Sequence, residues 1–443
     1  MRTGDICDVL KLICRRGPIS RVEIAQQTRF AQSYVGAIVR EAQNRGFVVE
    51  RGFAPSGGGR RRVLFELNPC LAQLVGIDMG TANLRLVVAD FAGKVLSHRC
   101  LPSEASKGKD HLLRLVHVEL KRALQQYPEI AAIGISHSGV IDQQAGKVLF
   151  WPKVSGWNDV PLKGILEEAY GLPTLIEDSV RSMAKAEQTF GLGKDLPQFV
   201  FVTIGMGIGC AIFFDGHLYE GADGLAGEFG HMTVEENGNL CTCGNRGCLE
   251  LYSSASAIVG RVRAELGLGV GSSLGSEFGD RLDELTVERV VAAAQAQDRL
   301  AERILAEAGM HLGTALAGLV NLLNPRKIIL GGRVPQAASE LFLRPLLYNL
   351  RHRALPQALE KLEISVSQLG EESAALGAVL MTREIVLAAR CREAGWSVST
   401  TKGVRPPEEE GERDAAPPFP PTRGLPNPIG PGGQAGRGVK GLR

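Results

Sequence analysis

Residues 228–250 read EFGHMTVEENGNLCTCGNRGCLE. Three cysteines fall within eight positions, a histidine stands upstream, and a glutamate closes each end. His231, Cys241, Cys243 and Cys248 give the spacing H-x9-C-x-C-x4-C. Thiolate and imidazole are the donors that tetrahedral Zn2+ prefers, and four protein donors make a closed, structural site rather than one that activates water. Gly238, Gly244 and Gly247 let a short loop turn back so that the four donors converge. A redox pair is the competing reading, but C-x-C lacks the C-x-x-C spacing of thioredoxin-like sites. Three buried, unliganded thiols at this density would be unusual.

The other six of the nine cysteines are scattered singly, as small buried hydrophobes usually are, so they form no disulfide framework. A chain of 443 residues is long for one core and implies two or three domains. With 44% hydrophobic and 22% charged residues it reads as a soluble globular protein. No apolar run approaches the ~18–20 residues that cross a bilayer, and the opening MRTGDICDVLKLICRRG lacks the apolar core of a signal peptide. The expected location is the cytoplasm, with no membrane partner. The net charge of +2 conceals an asymmetry, because residues 1–69 carry 12 Lys/Arg against 6 Asp/Glu. A basic head on an otherwise acidic body points to a polyanion partner for the head. A merely soluble surface remains the alternative until a motif is added.

The head supplies one. Ile6, Val9, Leu10 and Ile13 recur at helical spacing, and GPISRVEIAQQT (17–28) follows with a Gly-Pro break. There Ser20 and Glu23 form a capping box. AQSYVGAIVREAQNRG (31–46) is a second amphipathic helix closed by Gly46. FVVERG and RRVLFEL read as two short strands joined by FAPSGGGR (53–60). Three helices and a hairpin make a winged helix-turn-helix over residues 1–70, whose second motif helix enters the major groove. Gln32, Ser33 and Tyr34 are expected at the exposed start of that helix, with Arg40 further along; such side chains reach phosphates and base edges. Arg60, Arg61 and Arg62 in the wing suit a narrow minor groove, although a Gly-Arg run can also be a flexible basic linker. The expected partner is double-stranded operator DNA. One winged helix reads few base pairs, so a homodimer or homotetramer is expected.

From Leu71 strands alternate with helices, including AQLVGIDMG, LRLVVADFAG, a helix near 109–126, IAAIGISHSGVID and QFVFVTIGMGIGCAIFFDG. This implies α/β lobes. The expected division is a first lobe over 71–190, completed by 370–392, and a second over 191–369 with the zinc site. Residues 284–323 read as one long helical stretch and LGSEFGD (274–280) as a surface loop. The Pro/Gly-rich segment 397–443 is expected to be disordered.

GLAGEFGHMTV (224–234) followed by CTCGNRGCLE (241–250) resembles the signature of the ROK family of repressors, open reading frames and sugar kinases. The resemblance covers roughly residues 5–390, including the winged-helix head of the repressor branch. It implies an actin/hexokinase-like body of two α/β lobes around a sugar cleft. The family's zinc ligands fall on His231, Cys241, Cys243 and Cys248, and its sugar-contacting residues on Glu228, His231 and Glu250. In LIEDSVRSMAKAE (175–187), Asp178 stands where kinases of the family keep the catalytic base. Its plain alternative is a helix-start residue beside a Ser179 cap. Glu177 replaces the asparagine usual there, which alters the hydroxyl pattern the cleft would accept. The phosphate loops depart further. Where kinases carry Asp-x-Gly-Gly-Thr, this chain has Asp78-Met79-Gly80-Thr81-Ala82. Gly205-x-Gly207-x-Gly209 is kept, but Met206 stands in a small polar position, and NPRKIILGGR continues Gly331-Gly332 with Arg333. Phosphoryl transfer depends on positioning and charge stabilisation, so these departures count against it.

The expected function is a sugar-responsive DNA-binding regulator, a repressor, whose kinase-like body no longer transfers phosphate. The alternative is an active ATP-dependent sugar kinase carrying a DNA-binding head. A DNA-binding protein with an empty cleft is the third reading, against which the set Glu228, His231 and Glu250 stands.

Overall fold

The computed structural model describes residues 2–54, 61–151 and 154–396, so the segment 397–443 and Arg60 of the wing lie outside the described residues. The head is α1 (Thr3–Arg16), β1 (Ile19–Ser20), α2 (Arg21–Thr28), α3 (Gln32–Asn44), β2 (Val48–Phe53) and β3 (Val63–Leu67). Ile6, Val9, Leu10 and Ile13 form the buried stripe of α1. The capping box at α2 is complete: Ser20 Oγ accepts from the Glu23 amide and Glu23 accepts from the Ser20 amide at 2.9 Å. Gly46, at φ 74°, ends α3 and turns the chain into β2. The antiparallel sheet runs β1-β3-β2. The head's core does not close on itself. It continues through Leu74, Val87 and Phe91 into Val379, Leu387 and Trp396 of the body. The change of pattern near residue 70 is therefore a change of sheet, not a break in the core.

Next come β4 (Gln73–Met79), β5 (Asn83–Asp90), β6 (Val95–Pro102), α4 (Lys109–Gln126), β7 (Ile130–His137), β8 (Val140–Asp142), β9 (Lys147–Phe150), β10 (Asn158–Val160), α5 (Leu162–Tyr170), β11 (Thr174–Asp178) and α6 (Ser179–Phe190). The main sheet is ordered β11-β7-β4-β5-β6, and β8, β9 and β10 form a small separate sheet. Alternate residues of β4 face two cores: Leu74 points toward the head and the last helix, while Val75 and Ile77 pack with Leu112, Val116 and Leu120 of α4. A strand covered on both faces explains the unbroken apolar run in the sequence.

The remainder comprises β12 (Phe199–Ile204), β13 (Ile208–Phe214), β14 (His217–Leu218), α7 (Glu250–Ser253), α8 (Ala255–Gly267), α9 (Ser273–Phe278), α10 (Val287–Gln295), α11 (Arg299–Leu323), β15 (Lys327–Gly331), α12 (Arg333–Arg353), α13 (Pro356–Leu359), β16 (Glu363–Val366) and α14 (Ser373–Glu393). Its sheet is ordered β14-β13-β12-β15-β16. Both large sheets thus share one plan, an antiparallel meander of three strands with two parallel strands added beside the first. The last helix, α14, returns to lie on β4, β5 and β7. Gly76 permits that approach, because a Cβ there would collide with the Ala375 carbonyl.

Two expectations are corrected. Residues 274–280 are not a loop: Ser272 Oγ caps the Leu274 amide at 3.2 Å and Leu274 is buried, so α9 forms. The stretch 284–323 is two helices, not one. Gln297 adopts φ 67° and Asp298 caps the Ala301 amide at 3.1 Å, starting α11 afresh. No described helix is long and apolar enough to cross a membrane.

Candidate functional site

The segment 228–250 is held by local pairing. Phe229–His231 is a single 3-10 turn, Thr233 bridges to Cys248, and Leu240 bridges to Arg246. Gly247, at φ 69°, is the closing position, since a Cβ there would collide with the Glu235 carbonyl. One ligand atom from each of His231, Cys241, Cys243 and Cys248 lies within 4.8 Å of the others. His231 Nδ1 is 3.7 Å from Cys241 Sγ, and Cys243 Sγ is 3.7 Å from Cys248 Sγ. A tetrahedron built on ~2.3 Å metal–sulfur bonds has edges of about 3.8 Å, and these two pairs stand close to that separation. Burial, reinforced by the neighbouring thiols, pushes the Cys248 thiol up to about 12. A bound cation supplies the charge that holds such a group as thiolate. The cluster could therefore hold a metal.

His231 faces two ways. With Nδ1 in the cysteine cluster, its Nε2 lies 3.9 Å from Glu228 Oε2, and both side chains reach solvent. Glu250, at the start of α7, accepts from the Ile208 amide at 3.2 Å and so ties the cysteine loop to β13. Asp178 ends β11, and burial raises its carboxyl above the usual range; the charge of Glu228 adds to the rise. The field of Asp178 in turn reaches Asp78, which burial pushes up to about 6 against the donated Ser136 hydroxyl (3.0 Å) and Arg85 (3.7 Å). Asp178, far along the chain from both, thus lies within the electrostatic reach of Asp78 and of Glu228.

The cap of α6 is Asp178 itself and not Ser179, which is the first residue inside the helix. Asp178 Oδ1 accepts from the amides of Val180 (2.8 Å) and Arg181 (3.2 Å). Its Oδ2 accepts no hydrogen bond among the described residues. Glu177 is fully buried. It accepts from the Asp178 amide and from Gln143 Nε2, each at 2.8 Å, and burial pushes it up to about 7. Being fully buried, it presents no surface to a ligand. The motif reading missed Arg181, which is buried beside Glu177 and donates to the carbonyls of Gly224 and Ala226. The i, i+4 spacing of Glu177 and Arg181 was the available signal.

In the loop that aligns with the kinases' first phosphate loop, the Gly80 amide donates to the Asn83 carbonyl at 3.1 Å; Thr81 is half-buried and Ala82 exposed. Met206 is 49% exposed in the second, its carbonyl accepting from Ser256 Oγ at 2.7 Å. Arg333 is 3.6 Å from Glu288. In the head, Gln32, Ser33, Arg40, Arg61 and Arg62 are exposed. Tyr34 is not at an exposed start. Its hydroxyl donates to Asp5 at 2.8 Å and accepts from the Arg2 amide at 3.0 Å, fixing α3 to α1.

The ROK family model matches residues 74–385. A xylose repressor from Caldicellulosiruptor bescii is 31% identical over 377 residues, covering 84% of this chain and 94% of that protein. The DNA-binding transcriptional dual regulator NagC of Escherichia coli is 31% identical over 384 residues, 86% of this chain and 92% of its own. Among solved structures, a ROK family transcriptional regulator, a homologue of the E. coli MLC protein, superposes with a TM-score of 0.73 at 27% identity. It covers 88% of this chain and 99% of its own. A ROK family glucokinase from Streptomyces griseus, in complex with glucose and AMPPNP, gives 0.62 at 29% identity but covers only 70% of this chain.

Proposed function

The chain belongs to the ROK family, and from this we propose that its body senses a sugar through a zinc-braced cleft while its head holds operator DNA. It is a sugar-responsive repressor. The observation that carries the reading is the double role of His231, joined to the cysteine cluster through Nδ1 and facing Glu228 through Nε2. Zinc held by His231, Cys241, Cys243 and Cys248 would lock the imidazole so that Nε2 meets a sugar hydroxyl in fixed geometry. Glu228, Glu250 and the free oxygen of Asp178 complete a set that accepts hydrogen bonds from sugar hydroxyls. The DNA-binding unit is taken as 1–70, and the lobes as 71–190 with 370–392 and 191–369. Gln32, Ser33, Arg40, Arg61 and Arg62 are the groups offered to DNA, with Tyr34 positioning the helix. Two heads in a symmetric assembly would read two half-sites, in the cytoplasm.

Ala82 and Met206 support the absence of phosphoryl transfer, because neither offers the backbone access or hydroxyl that a phosphate loop uses. A sugar changes DNA binding only through unequal affinity for two arrangements of the protein. Operator DNA must then change sugar affinity by the same factor, about 5–150-fold. The test is a titration of a sugar panel with and without operator, with ATP consumption followed in parallel. Glu228→Ala is expected to abolish the sugar response and leave operator affinity unchanged. Equal sugar affinity in both titrations refutes the coupling, and sugar-dependent ATP turnover at about 1–100 per second establishes the kinase instead.

Arg61 and Arg62 give a separate expectation. Replacing both with alanine should reduce the slope of log affinity against log salt by about 2, since each phosphate no longer neutralised by the protein keeps about 0.9 of a counterion that binding would otherwise release. An unchanged slope removes the wing from the DNA interface.

A further inference from the structure

Behind the head, the head and body enclose a cavity of about 600 Å3. The C-terminal end of α1, the wing strands, the β5–β6 turn, the end of α6 and α14 all contribute walls. Its lining is markedly cationic. Arg15 is satisfied by Glu384 (2.8 Å) and Arg51 by Glu66 (3.5 Å), but Arg16, Lys94, Lys194 and Arg383 have no ion-pair partner among the described residues. Only Asp90 and Asp195 remain in the wall as carboxylates outside an ion pair.

Arg383 is the decisive group. It is only 6% exposed and its Nε is buried without an acceptor. The guanidinium lies 5.7 Å from the centre of the Phe91 ring, which offers no hydrogen-bonding lone pair. A buried guanidinium N–H left without an acceptor is costly, and proteins keep such groups paired. Lys185 lies in the same field. Burial lowers its ammonium, Glu384 and Cys14 oppose the shift, and Arg383 and Arg15 add to it.

We propose that this cavity binds a small anion of the phosphate class, clamped by Arg383 and Arg16, and that the bound anion ties the head to the body. The planar fork of arginine suits tetrahedral oxyanions and can bind them through two hydrogen bonds. The anion is a free one, phosphate or a phosphorylated metabolite, and not the DNA backbone. Tyr34, at the start of the recognition helix, meets α1 at Asp5, whereas the cavity meets α1 at Ile13 to Arg16, about 15 Å further along at 1.5 Å per residue. The same end of α1 is already attached to both lobes, with Arg15 donating to Glu384 on α14 and to His217 Nε2 (2.7 Å) on β14. An anion beside it adds a third attachment where head orientation is set. Any effect on operator affinity rests on the repressor reading; the binding itself does not.

Calorimetric titration of inorganic phosphate into the full chain, without DNA and at constant ionic strength, tests the site. One saturable site per chain is expected, about tenfold or more weaker in Arg383→Gln, from the loss of a charge-assisted hydrogen bond. Arg16→Gln, a half-buried change that leaves the core intact, should weaken it similarly. No saturable heat, or equal affinity in all three proteins, overturns the proposal. Complete displacement of phosphate by operator, with Arg16→Gln weakening DNA binding equally, would assign the site to a DNA phosphate and overturn the free anion. If phosphate binds as expected while no DNA does, the cavity assignment stands and the repressor reading falls.

Discussion

Replacing Cys248 by serine is expected to yield a protein without zinc and without a sugar response, yet with its DNA affinity retained. Cys248 is fully buried and stands 3.7 Å from Cys243, so no other donor can take its place without moving the loop. Losing one of four ligands opens the site to water and removes the thiolate that the ion prefers. Changes even outside the ligand set typically cost about 10–100-fold in metal affinity, so direct loss of a ligand should reach the upper end or beyond. Without the ion, His231 is no longer pinned against Glu228, and sugar affinity should fall by about 100-fold with it. The head core lies elsewhere, around Leu10, Ile38 and Phe65, and is untouched. Elemental analysis, sugar titration and DNA binding on wild type and variant decide the matter, and a strong chelator should reproduce the variant. Stoichiometric zinc in the variant, or unchanged sugar affinity after its loss, would show that the cluster does not shape the cleft.

The second large effect is expected at Trp396. This side chain is 4% exposed, its ring centre 4.8 Å from that of Phe47 at the base of the wing. The Arg45 guanidinium lies 4.8 Å over the ring and donates to the Ala394 carbonyl at 2.6 Å. Trp396→Ala leaves a cavity in the core shared by head and body and should cost about 3–5 kcal/mol. Because the loss falls on the junction, the head should melt before the body, so that urea unfolding followed by circular dichroism shows two steps instead of one. DNA affinity should drop while sugar affinity in the body persists. A single transition at the wild-type midpoint would show that the head is not anchored through this residue.

How much of this was legible before the fold is clearest residue by residue. The convergence of His231 with three cysteines, the box of Ser20 and Glu23 and the end of α3 at Gly46 are local matters. Each depends on donors, caps or torsions within some twenty residues, and each stands in the structure where its spacing placed it. Local signals also misled where a short apolar anchor was overlooked, as at Leu274, or where one capping aspartate broke a continuous helical pattern, as at Asp298.

Period, spacing and charge are properties of neighbouring residues, and so the class of the fold, the cluster of candidate metal donors and the basic head follow from chain order. What each polar group faces was settled by packing. Glu177 and Tyr34 read as site residues, and both became supports once Gln143, Arg181 and Asp5 were brought against them. Asp178 came within the fields of Asp78 and Glu228 only through the packing of segments distant in the chain. Arg383 drew no notice in the sequence, and only the return of α14 beneath the head leaves its Nε buried without an acceptor. The physical reason is the same in each case. The energy of a charge is set by its desolvation and by the groups packed over it, and those partners come from segments that no local pattern connects.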